Sequence, residues 1–159
     1  MVKGFVYVVA IIDWYSRKVL SWQLSNTMDT QFCLDALDEA IRKYGKPEIF
    51  NTDQGSQYTA KAHVDILKSH DIQISMDGKG RATDNICIER FWRSIKYEEI
   101  YLNDYKSINE LRYSINQYME KYNSRRLHST LGNKTPNEIY FKGINNLDHN
   151  SNKLLQTVS

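Results

Sequence analysis

Cysteine is scarce in this chain, with only Cys33 and Cys87 among its 159 residues. Both lie in segments whose apolar residues recur periodically, so we expect free, buried thiols and an intracellular protein rather than a disulfide scaffold. Cysteine and histidine also lack the spacing that is typical of structural metal sites. We therefore expect the fold to depend on an ordinary apolar core.

Long apolar runs are also missing. The run before Asp13 is only about nine residues long, too short to cross a bilayer. No small-residue cleavage site follows it, so it does not resemble a secretory signal. The sequence therefore predicts a soluble, cytoplasmic protein without a membrane partner.

A strong excess of charge of either sign is absent too, since the net charge is +2. The distribution is less even: residues 1–75 hold 8 basic and 9 acidic side chains, whereas residues 76–142 hold 12 and 9. A basic C-terminal half is typical of a protein with a polyanionic partner, and it is equally typical of solvated helices. The length suits one domain.

The hydrophobic pattern predicts an α/β fold. FVYVVAII at 5–12 indicates a strand buried on both faces, and the alternation over 19–25 indicates its antiparallel neighbour. Later segments alternate between helix and short strand, which predicts parallel crossovers. These segments are a helix at 28–45, a strand at 48–52, a helix at 59–71 and a strand at 72–75.

The C-terminal half is predicted to be helical. A glycine-rich, basic loop at 76–85 leads to a long helix that begins at Thr83 or Asp84 and runs to about Leu102. A helix at 107–123 and a basic connector with a short helix at 124–140 follow. His63 and His70 are predicted to lie on the surface. We expect a core domain over residues 1–142 and a flexible tail over 143–159.

Two carboxylates stand out. Asp53, in IFNTDQGSQYT, follows a predicted strand, where α/β sheets place ligand-binding loops, although Asp beside Gly is also common in turns. Glu89 lies on the long helix in a polar stripe that is separate from the apolar stripe. The polar stripe consists of Asn85, Glu89, Arg93 and Lys96, and the apolar stripe of Ile88, Phe91, Ile95 and Leu102. A solvated face with a Glu89–Arg93 ion pair is the alternative interpretation.

Taken together, the motifs resemble a known family. TDQGSQYT is followed by Glu89 in NICIERFWRSIKYE, with 35 residues between Asp53 and Glu89. This combination resembles the catalytic core of retroviral integrases and of bacterial insertion-sequence transposases, most of all the branch made from two overlapping reading frames. YVVAIIDWYSRKVLSWQLS, MDGKGRATDN and YNSRRLHSTLGNKTPNEIY resemble further motifs of that branch, so the similarity covers roughly residues 4–141. It implies a ribonuclease-H-like integrase core, a mixed sheet with flanking helices.

The resemblance also implies a chemistry. Such enzymes hold two Mg²⁺ or Mn²⁺ ions about 4 Å apart with three carboxylates, and they cut and join DNA by phosphoryl transfer. Asp53 would be the second carboxylate and Glu89 the third. The implied partners are transposon ends, target DNA and further copies of the chain. The candidate DNA-binding residues are Lys96, Arg93, Lys79, Arg81, Arg125, Arg126 and His128.

The first carboxylate of the family is the exception. Relatives carry it on a central first strand, ahead of the strand that matches 5–12, so we expect an N-terminally truncated core that lacks this strand. Asp13 is expected to build a turn rather than to bind metal. The strands at 5–12 and 48–52 would each lose a neighbour and expose an edge. Two alternatives remain: an inactive fragment that binds DNA or full-length transposase, and another ribonuclease-H-like nuclease.

Overall fold

The computed structural model describes residues 6–27, 29–52, 60–76, 82–145 and 153–158. Its elements follow the predicted order until the C-terminal segment. In chain order they are β1 (Tyr7–Asp13), β2 (Val19–Ser25), α1 (Thr30–Tyr44), β3 (Ile49–Thr52), α2 (Lys61–Ser69), β4 (Gln73–Met76), α3 (Ala82–Ile95), a π-helical turn (Lys96–Ile100), α4 (Ile108–Ser124), a 3₁₀ turn (Ser129–Leu131), α5 (Pro136–Asn145) and β5 (Lys153–Val158).

The strands form one mixed sheet in the order β2-β1-β5-β3-β4. β1 pairs antiparallel with β2, with an irregularity in register between Ile11 and Ile12. β3 pairs with β4 in parallel, and α2 is the crossover that connects them. The predicted mixed sheet, antiparallel at one side and parallel at the other, is thereby confirmed.

The middle position of the sheet is occupied by β5. Its backbone pairs antiparallel with β1, where Leu155 lies opposite Ile12, and parallel with β3, where Leu155 lies opposite Asn51. The prediction that the strands at 5–12 and 48–52 each expose an edge is therefore wrong, because both strands have β5 as a neighbour. Residues 153–158 of the tail that was expected to be flexible form this strand. KLLQTV supplies a short apolar strand within an otherwise Asn- and Ser-rich segment.

Two apolar layers cover the sheet, and the alternation of β1 divides between them. Val8, Ala10 and Ile12 face the layer that includes α3 and α4, whereas Val9 and Ile11 face the layer that includes α1 and α2. All five are at most 5% exposed, so β1 is buried on both faces as predicted. The sheet is thus the central layer between two sets of helices.

Local sequence sets the ends of α1. The side chain of Asp29 accepts a hydrogen bond from the amide of Phe32 at 3.4 Å, and the helix stops at Gly45, whose φ of 82° suits glycine. His63 differs from its predicted surface position: it is fully buried on α2, with its ring 5.8 Å from that of Phe50. No helix in the described ranges is long and apolar enough to span a membrane.

Candidate active site and basic groove

Helix α3 presents Glu89 at the surface because its apolar residues fix the opposite face. Ile88, Phe91 and Ile95 are buried in the core, at most 6% exposed, and Trp92 packs beside Phe91. Glu89 and Arg93, one turn apart, are exposed. The predicted separation of a polar and an apolar stripe is confirmed for these residues. Leu102, expected in the apolar stripe, is 73% exposed, because the α-helix ends at Ile95.

The carboxylate of Glu89 forms no ion pair with Arg93 within the described part of the chain. Arg93 lies instead over the ring of Tyr97, with 5.8 Å between the guanidinium carbon and the ring centroid. The alternative interpretation of a helical Glu–Arg pair is therefore not supported. Lys96 is half-buried where the π-helical turn begins.

Asp53, Lys79 and Arg81 lie outside the described residues. The structure places only the approach to Asp53: β3 ends at Thr52, which is 1% exposed. Among the residues that are described, no three His, Cys, Asp or Glu side chains are grouped so that they could hold a metal ion. The metal-binding role of Asp53 with Glu89 therefore stays a prediction.

Asp13 builds the turn between β1 and β2. Its Oδ2 accepts hydrogen bonds from the amide of Ser16 at 3.1 Å and from the Ser16 hydroxyl at 2.6 Å. It pairs in register with Leu154, which is level with Phe50 rather than with Thr52, the end of β3 that leads to Asp53. These contacts agree with the predicted turn role.

A groove beside α3 gathers four arginines. We call it the basic groove, and its volume is about 560 Å³. The charged residues come from three places: Arg17 from the β1–β2 turn, Arg90 and Arg93 from α3, and Arg126 from the connector after α4. The remaining lining residues are Ser94, Tyr122, Leu127, His128, Ser129 and Thr130. Of the described residues, no carboxylate lines this groove.

The three parts of the basic groove are held together by Asn123 and Tyr122. Asn123 Nδ2 donates to the carbonyl of Val19, and the amide of Val19 donates to Asn123 Oδ1, both at 2.9 Å. The buried ring of Tyr122 lies 5.1 Å from Phe91 and 5.2 Å from His128. These contacts join the end of α4 to the sheet and to α3, which brings Arg17 close to residues that are more than 70 positions away in sequence.

Arg126 is fixed by a small hydrogen-bond network. Its Nη1 donates to Glu98 Oε2, and Nη2 reaches the Ser94 hydroxyl at 3.3 Å. Tyr118 donates to the same Glu98 oxygen at 2.9 Å. The hydrogen bond from Arg126 is the main cause that lowers the pKa of Glu98, and the same bond raises the pKa of Arg126. The guanidinium is thus pre-oriented rather than freely mobile.

A second groove shares Arg126 and Tyr122 with the first. This mixed-charge groove also has a volume of about 560 Å³. It contains the carboxylates of Glu98 and Glu99 together with Lys121 and Arg125. Arg125 and Arg126, predicted as one DNA-binding cluster, are therefore separated, since Arg125 lines only the mixed-charge groove.

His128 lies in the basic groove with little freedom. Its amide donates to the carbonyl of Lys134 at 3.1 Å, and its carbonyl accepts from the amide of Asn133 at 2.9 Å. Burial is the main cause that lowers the pKa of His128 from 6.5, and the charges of Arg126 and Arg17 act in the same direction. The imidazole is therefore mostly neutral at pH 7.

Sequence reasoning did not select two residues of the basic groove, Arg17 and Arg90. Arg90 had a usable signal, because it stands three positions before Arg93 on the same helix and residues at that spacing are neighbours. Arg17 had none, since its position depends on contacts made by Asn123, 106 positions later.

The fold and the exposed carboxylate of α3 define a chain of the integrase-core class. Two models of the integrase core domain match it, one over residues 1–82 and the other over residues 70–136. The chain belongs to this family.

Its curated relatives include insertion-sequence proteins of Escherichia coli K12. The chain is 36% identical over 135 residues to InsK of insertion sequence IS150, covering 84% of this chain and 48% of InsK. It is 34% identical over 145 residues to the transposase InsF of IS3A, covering 89% of this chain and 50% of InsF. The chain thus spans about half the length of the curated relatives it matches.

Solved structures with the same fold are retroviral integrases. The catalytic core of BIV integrase matches with a TM-score of 0.70 at 18% identity, covering 86% of each chain. The HTLV-2 integrase core, solved in complex with magnesium in a dimeric form, matches with a TM-score of 0.59 at 21% identity, covering 88% of this chain and 87% of that one. These likenesses confirm the predicted ribonuclease-H-like integrase fold.

Proposed function

We propose that this chain is a transposase catalytic core that cuts the ends of a mobile DNA element and joins them to target DNA. Membership of the integrase core family supports the class of reaction. The observation that carries the proposal at the level of residues is the exposed Glu89 carboxylate, which stands one helical turn from Arg93 of the basic groove. Transposon ends, target DNA and further copies of the chain are the proposed partners.

Glu89 suits a divalent metal ion in its chemistry. A carboxylate is the ligand that Mg²⁺ and Mn²⁺ prefer, and this one has no ion-pair partner among the described residues. Asp53 would be the second ligand, since it directly follows the buried end of β3. Two bound ions would assist the attacking and the leaving oxygen of phosphoryl transfer. The chain's own task is then to hold the carboxylates and the DNA backbone in line.

Metal binding tests the assignment of Asp53 and Glu89. Mn²⁺ should raise the Tm of the unaltered chain, because a ligand that binds only the folded state stabilises it. Glu89→Gln and Asp53→Asn should abolish this rise. Glu120→Gln, which neutralises an exposed carboxylate on α4, is the matched control and should leave it unchanged. An equal rise in all four proteins would contradict the assignment.

Activity tests the reaction itself. A labelled duplex that ends in the terminal sequence of the mobile element should be nicked and joined to a second DNA in the presence of Mg²⁺, and Glu89→Gln should lose both products. Cleavage without any joining would contradict the proposed strand transfer.

One observation favours a second function, DNA binding without catalysis. The middle strand of the sheet is β5, and KLLQTV contains no acidic residue that could serve as a third carboxylate. Under this alternative the chain would occupy DNA or associate with active transposase. The two functions separate cleanly, because a purely binding protein would retain DNA affinity and give no joined product with Mg²⁺.

A further inference from the structure

We propose that the basic groove is a phosphodiester clamp that holds the backbone of a DNA strand next to Glu89. The clamp consists of Arg17, Arg90, Arg93 and Arg126, and it excludes Arg125. This inference rests on the proposed function, since it names the surface through which the same site would hold its substrate.

The charge of the groove selects an anion. Four guanidinium groups line about 560 Å³, and in the described residues no carboxylate shares that lining. Glu98 neutralises part of the charge of Arg126, but it lies in the neighbouring mixed-charge groove. Arg17, Arg90 and Arg93 form no ion pair within the described ranges. Crowded, uncompensated cations repel one another, and a polyanion removes that repulsion.

The donor types favour phosphate over carboxylate ligands. Guanidinium groups present a rigid fork of N–H donors that suits phosphate oxygens. The hydroxyls of Ser94, Ser129 and Thr130 add neutral donors along the same groove, as is common in contacts with DNA backbones. All of these donors suit the oxygens of a DNA backbone, so we expect binding to depend little on sequence.

The clamp is partly pre-organised. Arg126 is held by Glu98 and Ser94. Arg17 donates through Nη1 to the carbonyl of Trp14 and lies over the ring of that residue, 5.5 Å from its centroid. Its φ of 66°, unusual for a residue other than glycine, is held by the hydrogen bond from its amide to the carbonyl of Asp13 at 2.8 Å. Side chains that are already oriented lose less entropy when they bind.

The location of the clamp connects it to the proposed chemistry. Arg90 follows Glu89 directly, and Arg93 lies one turn further along the same exposed face of α3. A strand held by these arginines would pass beside the Glu89 carboxylate. The mixed-charge groove lies further along the chain, at the π-helical turn and α4, and its two carboxylates would repel DNA.

Salt-dependent DNA binding tests the clamp. Affinity for a fluorescent duplex is measured by anisotropy in EDTA, so that metal-dependent chemistry plays no part. The double variant Arg90→Ala/Arg93→Ala should weaken binding on the order of tenfold or more, because two charge-assisted contacts are lost. The slope of log affinity against log salt should fall by about 1.8, or about 0.9 for each lost phosphate contact.

The control changes the same charge on the other groove. Lys121→Ala/Arg125→Ala also removes two positive charges, so it accounts for long-range electrostatics. It should leave the salt slope nearly unchanged. Equal losses in both double variants would overturn the clamp, because only net charge would then matter. An unchanged affinity of Arg90→Ala/Arg93→Ala would overturn it as well.

Two further measurements test whether the guanidinium geometry and the phosphate group contribute to binding beyond charge alone. Arg90→Lys/Arg93→Lys keeps the charge and the fold, and it should still bind more weakly than the unaltered chain if the guanidinium fork contributes. If this variant binds DNA as tightly as the unaltered chain, the geometry of the guanidinium group does not contribute.

Poly-glutamate of equal charge should compete poorly with the duplex for the protein. If it competes equally well, the groove does not select phosphate over carboxylate. Glu89→Gln should bind DNA in EDTA at least as tightly as the unaltered chain, because a carboxylate beside the strand is removed, while it loses the joined product with Mg²⁺, so failure of the clamp and failure of catalysis are distinguishable.

Discussion

The two grooves on either side of Arg126 and Tyr122 have the same volume, about 560 Å³, and differ in electrostatic character. The basic groove is built by a sheet turn, α3 and the connector, and carries four arginines. The mixed-charge groove is built by the π-helical turn and α4 with its C-terminal end, and its cations are accompanied by Glu98 and Glu99. A net charge of only +2 hides this difference, because charge matters where the fold concentrates it.

Of the two grooves, only the basic one has a lining residue from a turn of the sheet, and removing β5 should have the largest effect on that sheet. Deletion of residues 153–159 would leave β1 and β3 without their shared neighbour. We expect the free energy of unfolding to fall by about 3 kcal/mol or more, because several buried backbone hydrogen bonds are lost. Urea unfolding measures this change. Hydrogen exchange should show lost protection in residues 9–13 and 49–52.

The deletion has a clear contrary outcome. If the shortened chain unfolds at the same urea concentration and protects the same amides, β5 does not contribute to the sheet. Removing residues 143–145 as well as 153–159 would shorten α5, so that deletion is not an equivalent control. Leu155→Pro is the better second variant. Proline cannot donate to the ladder, so it should reproduce the direction of the effect.

Breaking the joint between α4 and the sheet should affect the basic groove more than the mixed-charge groove. Asn123→Ala removes both hydrogen bonds to Val19 and leaves two backbone groups without these partners. We expect a loss of about 2 kcal/mol in the free energy of unfolding and weaker DNA binding through displacement of Arg17. Asn116→Ala, at an exposed position of the same helix, is the control for helix propensity. If Asn116→Ala has the same effect as Asn123→Ala, the hydrogen bonds between Asn123 and Val19 have no special role.

Changing the mixed-charge groove should make it more like the basic one. Glu98→Gln removes the carboxylate that pairs with Arg126 and accepts from Tyr118. We expect a loss of only about 0.5 kcal/mol in stability, because the pair is partly exposed. DNA affinity should rise about threefold at low salt, since the charge of Arg126 is no longer compensated. Glu120→Gln changes the net charge equally, so a matching rise in that variant would refute the local effect.

Local pattern was sufficient for the parts of this molecule that depend on one helix or one hairpin. The stripes of α3 placed Glu89 and Arg93 at the surface, and the alternation at 19–25 gave the antiparallel partner of β1, because helix and strand periods are set by neighbouring residues. The carboxylate candidates came from the family resemblance as well. Their mutual placement stays a prediction, since Asp53 lies outside the described residues.

Long-range placement was not readable from the pattern. KLLQTV is short and lies in a polar segment, so nothing local indicates that it pairs with strands more than 100 residues earlier. Arg125 and Arg126 are adjacent in sequence, and the end of α4 directs them into different surroundings. Arg17 belongs to the basic groove only because Asn123 bonds to Val19. Each miss depends on a contact between distant segments.

The smallest expected effect concerns pH. His128, which lines only the basic groove, has its pKa below 6.5 through burial and then the charges of Arg126 and Arg17. Below about pH 6.5 the unfolded chain therefore binds more protons at this position than the folded chain. Stability should be fully present above that pH and decrease as the pH falls towards the folded pKa. His128→Gln should remove this decrease in urea unfolding, whereas the exposed His70→Gln should not.

The same proton should have the opposite effect on DNA binding. A phosphate in the basic groove would offset the charges of Arg126 and Arg17 and favour the protonated imidazole. DNA affinity should therefore rise as the pH falls below about 6.5, while the stability of the free protein falls. The salt slope should increase at the lower pH by about 0.9, one additional phosphate contact. If His128→Gln retains both the rise in affinity and the steeper slope, His128 does not face the bound backbone, and the clamp would be confined to its arginines.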